Sequence, residues 1–270
     1  MKKLIRIIHS IIWWLDWVLL MMLAIALDTI IWPGNRKMYR RYERFWAWTL
    51  MKIGGISLEI KGHENLPKEN ETVIYMPNHQ SDLDWPIIFR AVPRQYLFLA
   101  KQELFDMFIF GTYMRLQGYI PIERNNIKKS YKTYQRLIDL IKEGNSIVIY
   151  PEGTRSYDGR LQRFKPTSFS ILQETKVKVI PIAINGSVNF IKKGSRIIYP
   201  TKIKVDIFPV IDFSDLYHLE SKDFCLASSE RVRKVLLTVL PGEEPHKIKN
   251  SNLVVDSEIK DYMEETISIN

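Results

Sequence analysis

The stretch "YQRLIDLIKEGNSIVIYPEGTRS", residues 134–156, decides the fold class. Its first half continues a repeat in which Ile127, Tyr131, Tyr134, Ile138 and Ile141 recur every three or four residues, so a helix over 127–142 has one apolar face. Gly144 ends that helix. Ile147, Val148 and Ile149 follow as an uninterrupted apolar run, the pattern of a strand covered on both faces. Helix, glycine and buried strand in that order are an α/β signature.

Similar short apolar runs predict strands at 57–61, 72–76, 96–100, 119–123, 146–150, 178–184 and 203–208, with a closing helix at 229–240 before Pro241-Gly242. The expected body is therefore an α/β domain over 55–242, built on a mixed, largely parallel central sheet flanked by helices. Residues 243–270 read as a polar, acidic tail to which no chemistry is assigned.

The 270-residue chain is 46% apolar, ample for one principal domain. Cys225 is its single cysteine, so no intrachain disulfide can form. The net charge of +9 calls for an anionic partner. Nine Lys/Arg against three Asp/Glu fall within residues 1–54, the most apolar part of the chain. That placement favours a membrane over nucleic acid, for which no recognition motif is present.

Residues 7–32 are largely apolar, about 39 Å of helix against a hydrocarbon core of roughly 30 Å. Asp16 and Asp28 interrupt the run, and both flanks are basic, so the positive-inside rule selects no orientation. Keeping both ends on one side resolves this. Pro33-Gly34 turns the chain, and Asn35 caps a second helix over 36–53 in which basic residues mix with Tyr39, Tyr42, Phe45, Trp46 and Trp48. The preferred reading of 1–54 is a two-helix monotopic membrane anchor. A transmembrane helix, a buried helix and a cleaved signal peptide are the alternatives.

In "MPNHQSDLDWP", residues 76–86, His79 and Asp84 stand either side of a turn. Asp84 before Trp85-Pro86 reads as a helix N-cap, and Ser81-x-x-Asp84 as a capping box. The same turn lets a carboxylate fix an imidazole tautomer and leaves the second ring nitrogen to take a proton from a hydroxyl, work suited to an ordinary histidine pKa of ~6.5. A Ser81-His79-Asp84 triad is a third reading, though the nucleophile elbow is missing. No second histidine stands at metal-ligand spacing.

In "QGYIPIER" the period of two puts Ile120, Ile122 and Arg124 on one side of a strand, with Arg124 at its C-terminal end. "IVIYPEGTRS" opens a buried strand into a turn that brings Glu152 and Arg155 back over the strand end, and "VIPIAINGS" is another buried strand. Each alone has an ordinary structural explanation. Together and in this order, the blocks Asn78-His79-x-x-x-x-Asp84, 118–124, 152–156 and 180–187 resemble the glycerolipid acyltransferase family, closest to its bacterial 1-acylglycerol-3-phosphate acyltransferases. The resemblance covers roughly 55–210. It departs at Pro121, where many members carry phenylalanine.

The resemblance implies that His79 is the general base and Asp84 its partner. Lys101, Arg124, Glu152, Gly153, Thr154 and Arg155 would hold the phosphate and glycerol of lysophosphatidic acid. The acyl donor would be acyl-CoA or acyl carrier protein, consumed as a substrate with no bound cofactor and no metal. The product would be phosphatidic acid, made at the cytoplasmic face of the inner membrane among membrane lipids. A different lipid acceptor and a non-catalytic lipid-binding protein are the other readings carried forward. The oxyanion donor is left unassigned.

Overall fold

The computed structural model describes residues 2–242 apart from Trp32, 69–70, 124–126 and 193. The acidic tail and Arg124 therefore lie outside the described residues. The chain opens with α1 (Lys2–Ala26), continued by a π-helical turn at Leu27–Ile31, and α2 (Arg36–Ile53). Then follow β1 (Ser57–Lys61), β2 (Val73–Pro77), α3 (Asp84–Ala91), β3 (Leu97–Lys101), α4 (Gln102–Phe105), α5 (Phe108–Leu116) and β4 (Ile120–Ile122). The body is completed by α6 (Ile127–Lys142), β5 (Ile147–Val148), α7 (Ser170–Thr175), β6 (Lys178–Asn185), β7 (Lys202–Ile207) and α8 (Ser221–Leu236).

The strands form one seven-stranded sheet in the order β1-β7-β6-β2-β5-β3-β4. All neighbours are parallel except β6 and β7. The mixed, largely parallel sheet expected from the apolar runs is thus present. Burial follows position: every residue of central β2 is buried, whereas edge strand β1 has none buried. Parallel pairing brings the C-terminal ends of β2, β3, β4 and β5 to one rim, where the loops carrying the sequence motifs emerge.

At the N-terminus Gly34 supplies the left-handed turn, and the Asn35 side chain accepts the Met38 N–H at 3.2 Å, capping α2 as its sequence predicts. The two helices pack antiparallel. Trp13 Nε1 donates to the Leu50 carbonyl at 2.8 Å, and the Tyr42 hydroxyl to that of Leu20 at 2.6 Å. The sheet side also grips α1: Trp14 Nε1 donates to the Arg196 carbonyl, and the Ile198 N–H to Ser10 Oγ. Trp17, Trp46 and Trp85 lie within 5.7 Å of one another by ring centroids, tying both helices to α3. This contact reaches the residue next to Asp84.

Two local expectations change. The closing helix begins at Ser221, not 229, because Ser228 and Ser229 satisfy their hydroxyls within the helix on the carbonyls of Phe224 and Leu226 and so do not cap it. The strand expected at 146–150 shortens to Ile147–Val148, since Pro151 follows and the Tyr150 carbonyl closes a turn with the Gly153 N–H.

Candidate active site

His79 sits in the loop after β2, whose position is locked from a distant strand. The Asn78 side chain donates to the Ile184 carbonyl at 2.9 Å and accepts the Ile184 N–H at 2.6 Å, stitching the end of β2 to β6. Beyond it the chain folds back so that Asp84, fully buried at the start of α3, meets His79: Nδ1 lies 2.8 Å from Oδ2. The same oxygen accepts the N–H groups of Gln80 at 2.6 Å and Ser81 at 2.8 Å, while Oδ1 accepts the Ser187 hydroxyl at 2.5 Å. A carboxylate receiving these donors acts as an acceptor throughout, so Nδ1 carries the ring proton and Nε2 holds the free lone pair.

This geometry corrects two of the simpler readings. Asp84 does not cap α3, which has no side-chain cap; its carboxylate turns back to the preceding loop. Half of a capping box survives in its bond to the Ser81 N–H. The Ser81 hydroxyl accepts the Leu83 N–H at 3.3 Å and makes no bond to His79, so the serine triad does not form.

The loop after β5 completes the surround. The Tyr150 ring stacks on the His79 imidazole with centroids 4.3 Å apart. Glu152 is 4% exposed; Oε1 accepts the His79 N–H at 2.6 Å and Oε2 the Gln162 N–H at 2.9 Å. Burial pushes its carboxyl up to about 7, against the pull of those two amides. Glu152 was expected against the substrate's glycerol. In the structure both its oxygens are engaged by backbone donors. Gly153 adopts φ 69°, and a side chain there would press on Lys165.

His79 opens onto a cavity of about 1010 Å³. Lys101, Gly153, Thr154 and Arg155 line it too, so four of the six proposed acceptor-binding residues share one space with the histidine. Arg155 pairs with Asp82, which lines the same cavity. The remaining wall is mainly apolar, with Trp85, Phe98, Met114 and Leu137, and α1 contributes Trp17 and Met21. The space is of a size and character suited to a lipid acyl chain. Cys225 lies buried on α8, and burial pushes its thiol up to about 11, an inert setting. Among the described residues no group of three or more His, Cys, Asp or Glu could hold a metal ion.

Sequence reasoning assigned no role to Ser187, Gln162, Tyr150 or Lys165. Ser187 closes the fourth motif block, yet its partner Asp84 is 103 positions away and no local pattern announces the pairing. Lys165 lines the cavity from a loop without a recognisable motif.

The family described as Acyltransferase matches residues 57–185. A chloroplastic 1-acyl-sn-glycerol-3-phosphate acyltransferase of Arabidopsis thaliana is 32% identical over 164 residues, covering 61% of this chain and 46% of that protein. One of Borreliella burgdorferi is 26% identical over 69% of this chain and 74% of its own length. The match to the first of these relatives thus spans under half of its length. Among solved structures, a 1-acyl-sn-glycerophosphate acyltransferase from Thermotoga maritima shares the fold with a TM-score of 0.71 at 23% identity, over 88% of this chain and 99% of that one. The His79 and Arg155 loops both fall inside residues 57–185, the segment that matches the family described as Acyltransferase.

Proposed function

We propose that the protein transfers a fatty acyl group from an acyl thioester, acyl-CoA or acyl carrier protein, to the sn-2 hydroxyl of 1-acylglycerol-3-phosphate, giving phosphatidic acid. The observation that carries this reading is the His79–Asp84 pair, 2.8 Å apart, opening onto a large apolar cavity that also holds Lys101 and Arg155. His79 Nε2 takes the hydroxyl proton as the oxygen attacks the thioester carbonyl. The tetrahedral intermediate then expels the thiolate, which receives that proton from the imidazolium. Asp84 stabilises the charged ring between these steps.

A thioester is already activated, so direct transfer is sufficient and the donor is a substrate, not a resident cofactor. Arg155 and Lys101 supply positive charge for a phosphate monoester, Arg155 by exchanging Asp82 for phosphate oxygens. Arg124 is assigned the same role on the sequence resemblance alone. The helix Lys2–Ile31 is long and apolar enough to cross a membrane, yet α1 is bonded to the body at Ser10 and Trp14. This favours a monotopic seat, on the cytoplasmic face of the inner membrane, where acyl thioesters are available.

Purified protein in lipid nanodiscs, offered lysophosphatidate with acyl-CoA or acyl carrier protein and assayed by lipid mass, tests the reading. Phosphatidate is the expected product. Preference for lysophosphatidylcholine in competition overturns the acceptor assignment, and lysolipid binding without transfer favours a binding protein.

A further inference from the structure

The bond from His79 Nδ1 to Asp84 fixes one in-plane direction of the imidazole but resists tilting of the ring plane about the bond axis only weakly. Such tilting changes the direction in which the Nε2 lone pair points. A flat group against the ring face removes this freedom, and the structure has one: the Tyr150 ring lies 28° from parallel to the imidazole at a centroid separation of 4.3 Å. Tyr150 is itself well held. Pro151 follows it, its carbonyl accepts the Gly153 N–H at 3.0 Å, and the Ile149 N–H pairs with the Tyr75 carbonyl at 3.0 Å.

The same loop grips the His79 backbone at both polar groups. Glu152 Oε1 accepts its N–H, and the Ser156 N–H donates to its carbonyl at 2.8 Å. Ring and backbone of the histidine are thus referenced to one short segment. The Tyr150 hydroxyl makes no hydrogen bond among the described residues, although it is buried. Burial, with the charge of Asp84 adding to it, pushes that hydroxyl well above its ordinary pKa, so it stays protonated and does not act as a second base. What the position contributes is an aromatic face.

We infer that Tyr150 is a positioning residue for His79: its ring, together with Asp84, holds the imidazole plane so that Nε2 faces the acceptor hydroxyl. This rests on His79 being the general base. Misplacing a reacting group by about 1 Å is enough to lower a rate by roughly 10²-fold, so loss of this orientation appears in kcat, not in substrate affinity.

The test uses full-length protein in nanodiscs carrying Tyr150→Phe, Tyr150→Leu or Tyr150→Met. It reads kcat and KM for 1-acylglycerol-3-phosphate with acyl-CoA, and the imidazole N–H resonances of the substrate-free protein. A His79→Gln spectrum assigns the His79 signal among the five histidines. The phenylalanine variant should stay within about twofold of wild type. The leucine and methionine variants should lose about tenfold or more in kcat with KM within about threefold, and their Nδ1–H resonance should broaden or vanish, with melting temperatures showing that the fold persists. Loss of activity in the phenylalanine variant overturns the inference whether or not the other two fold. So does a leucine or methionine variant that keeps both kcat and the sharp Nδ1–H signal. If wild-type protein acylates no lysophospholipid, the general-base reading fails, and the spectra still decide whether Tyr150 holds the ring.

Discussion

The hydroxyl of Ser187 donates to Oδ1 of Asp84 at 2.5 Å, from the loop after β6 to the first residue of α3. Oδ2 is occupied by His79 and two backbone amides, so Ser187 is the contact that fixes the rotation of the carboxylate. Replacing Ser187 with alanine removes a bond to a charged acceptor in a buried place. The expected loss of stability is about 1.5–3 kcal/mol, read by denaturant titration. Activity should fall several-fold, in kcat, because His79 keeps its partner.

Asp84→Asn is the more severe change. An amide has one acceptor oxygen where the carboxylate has two, and its NH₂ faces donors that it cannot pair. The imidazole then loses the partner that sets its tautomer and stabilises its charge. A fall in kcat of about 10³–10⁴ is expected, by analogy with carboxylate-to-amide change behind a catalytic histidine. His79→Ala should cost about 10²–10⁴. Near-wild-type turnover in either variant rules out the base.

The fold and half of the site are legible in the sequence because they are local. The period of α6, Gly144 and the apolar run of β5 fall within one short segment, and His79, Asp84, Gly153 and Arg155 sit in loops at strand ends, where parallel sheets gather ligands. Long-range pairings are not legible. Nothing near Ser187 indicates Asp84, and nothing near Glu152 indicates that its carboxylate faces the His79 backbone rather than solvent. The resemblance implies a glycerol contact for Glu152, whereas its burial follows from distant loops that close over it and has no local signal.

The buried carboxyl of Glu152 gives a pH signature. It titrates at about 7 in the folded protein against an ordinary 4.5, so folding favours its protonated form. Its contribution to stability is full below 4.5 and is lost as pH rises through about 7, a swing of about 3 kcal/mol at 1.36 kcal/mol per unit. Glu152→Gln does not titrate. The difference in unfolding free energy, wild type minus variant, should therefore decline between pH 4.5 and 7.5 and level off above. A flat difference across that range contradicts the assignment.

On α2, Glu43 is wholly buried and accepts the hydroxyls of Tyr113 at 2.5 Å and Tyr119 at 2.7 Å, with Arg40 as its ion-pair partner. Arg40 also stacks over Tyr96 and donates to its carbonyl at 2.9 Å. Tyr113 and Tyr119 line the cavity, so this network ties the second helix to the cavity wall. Glu43→Ala leaves a buried guanidinium unpaired and should cost about 3–5 kcal/mol. The double change Arg40→Met with Glu43→Leu removes both charges and should cost less than Glu43→Ala alone, a non-additivity that a double-mutant cycle measures.

The outward face of α1 separates membrane attachment from folding. Leu15 and Leu19 are 55% and 62% exposed, and with Ile8, Ile12 and Leu23 they form an apolar strip on the helix side away from the body. Trp13, on the opposite side, is fully buried against Leu50 and Phe190. If the strip enters the bilayer, transferring each leucine contributes up to about 1.5–3 kcal/mol, so Leu15→Ser with Leu19→Ser should weaken vesicle binding by about a hundredfold or more. Stability in detergent should hardly change, because neither side chain is part of the core. Trp13→Ala should do the reverse, destabilising the fold by about 3–5 kcal/mol while leaving the strip intact. Cosedimentation with vesicles and denaturation in micelles, run on both variants, read the two effects apart. Undiminished vesicle binding by the double-serine variant would move the membrane contact to another face of the protein.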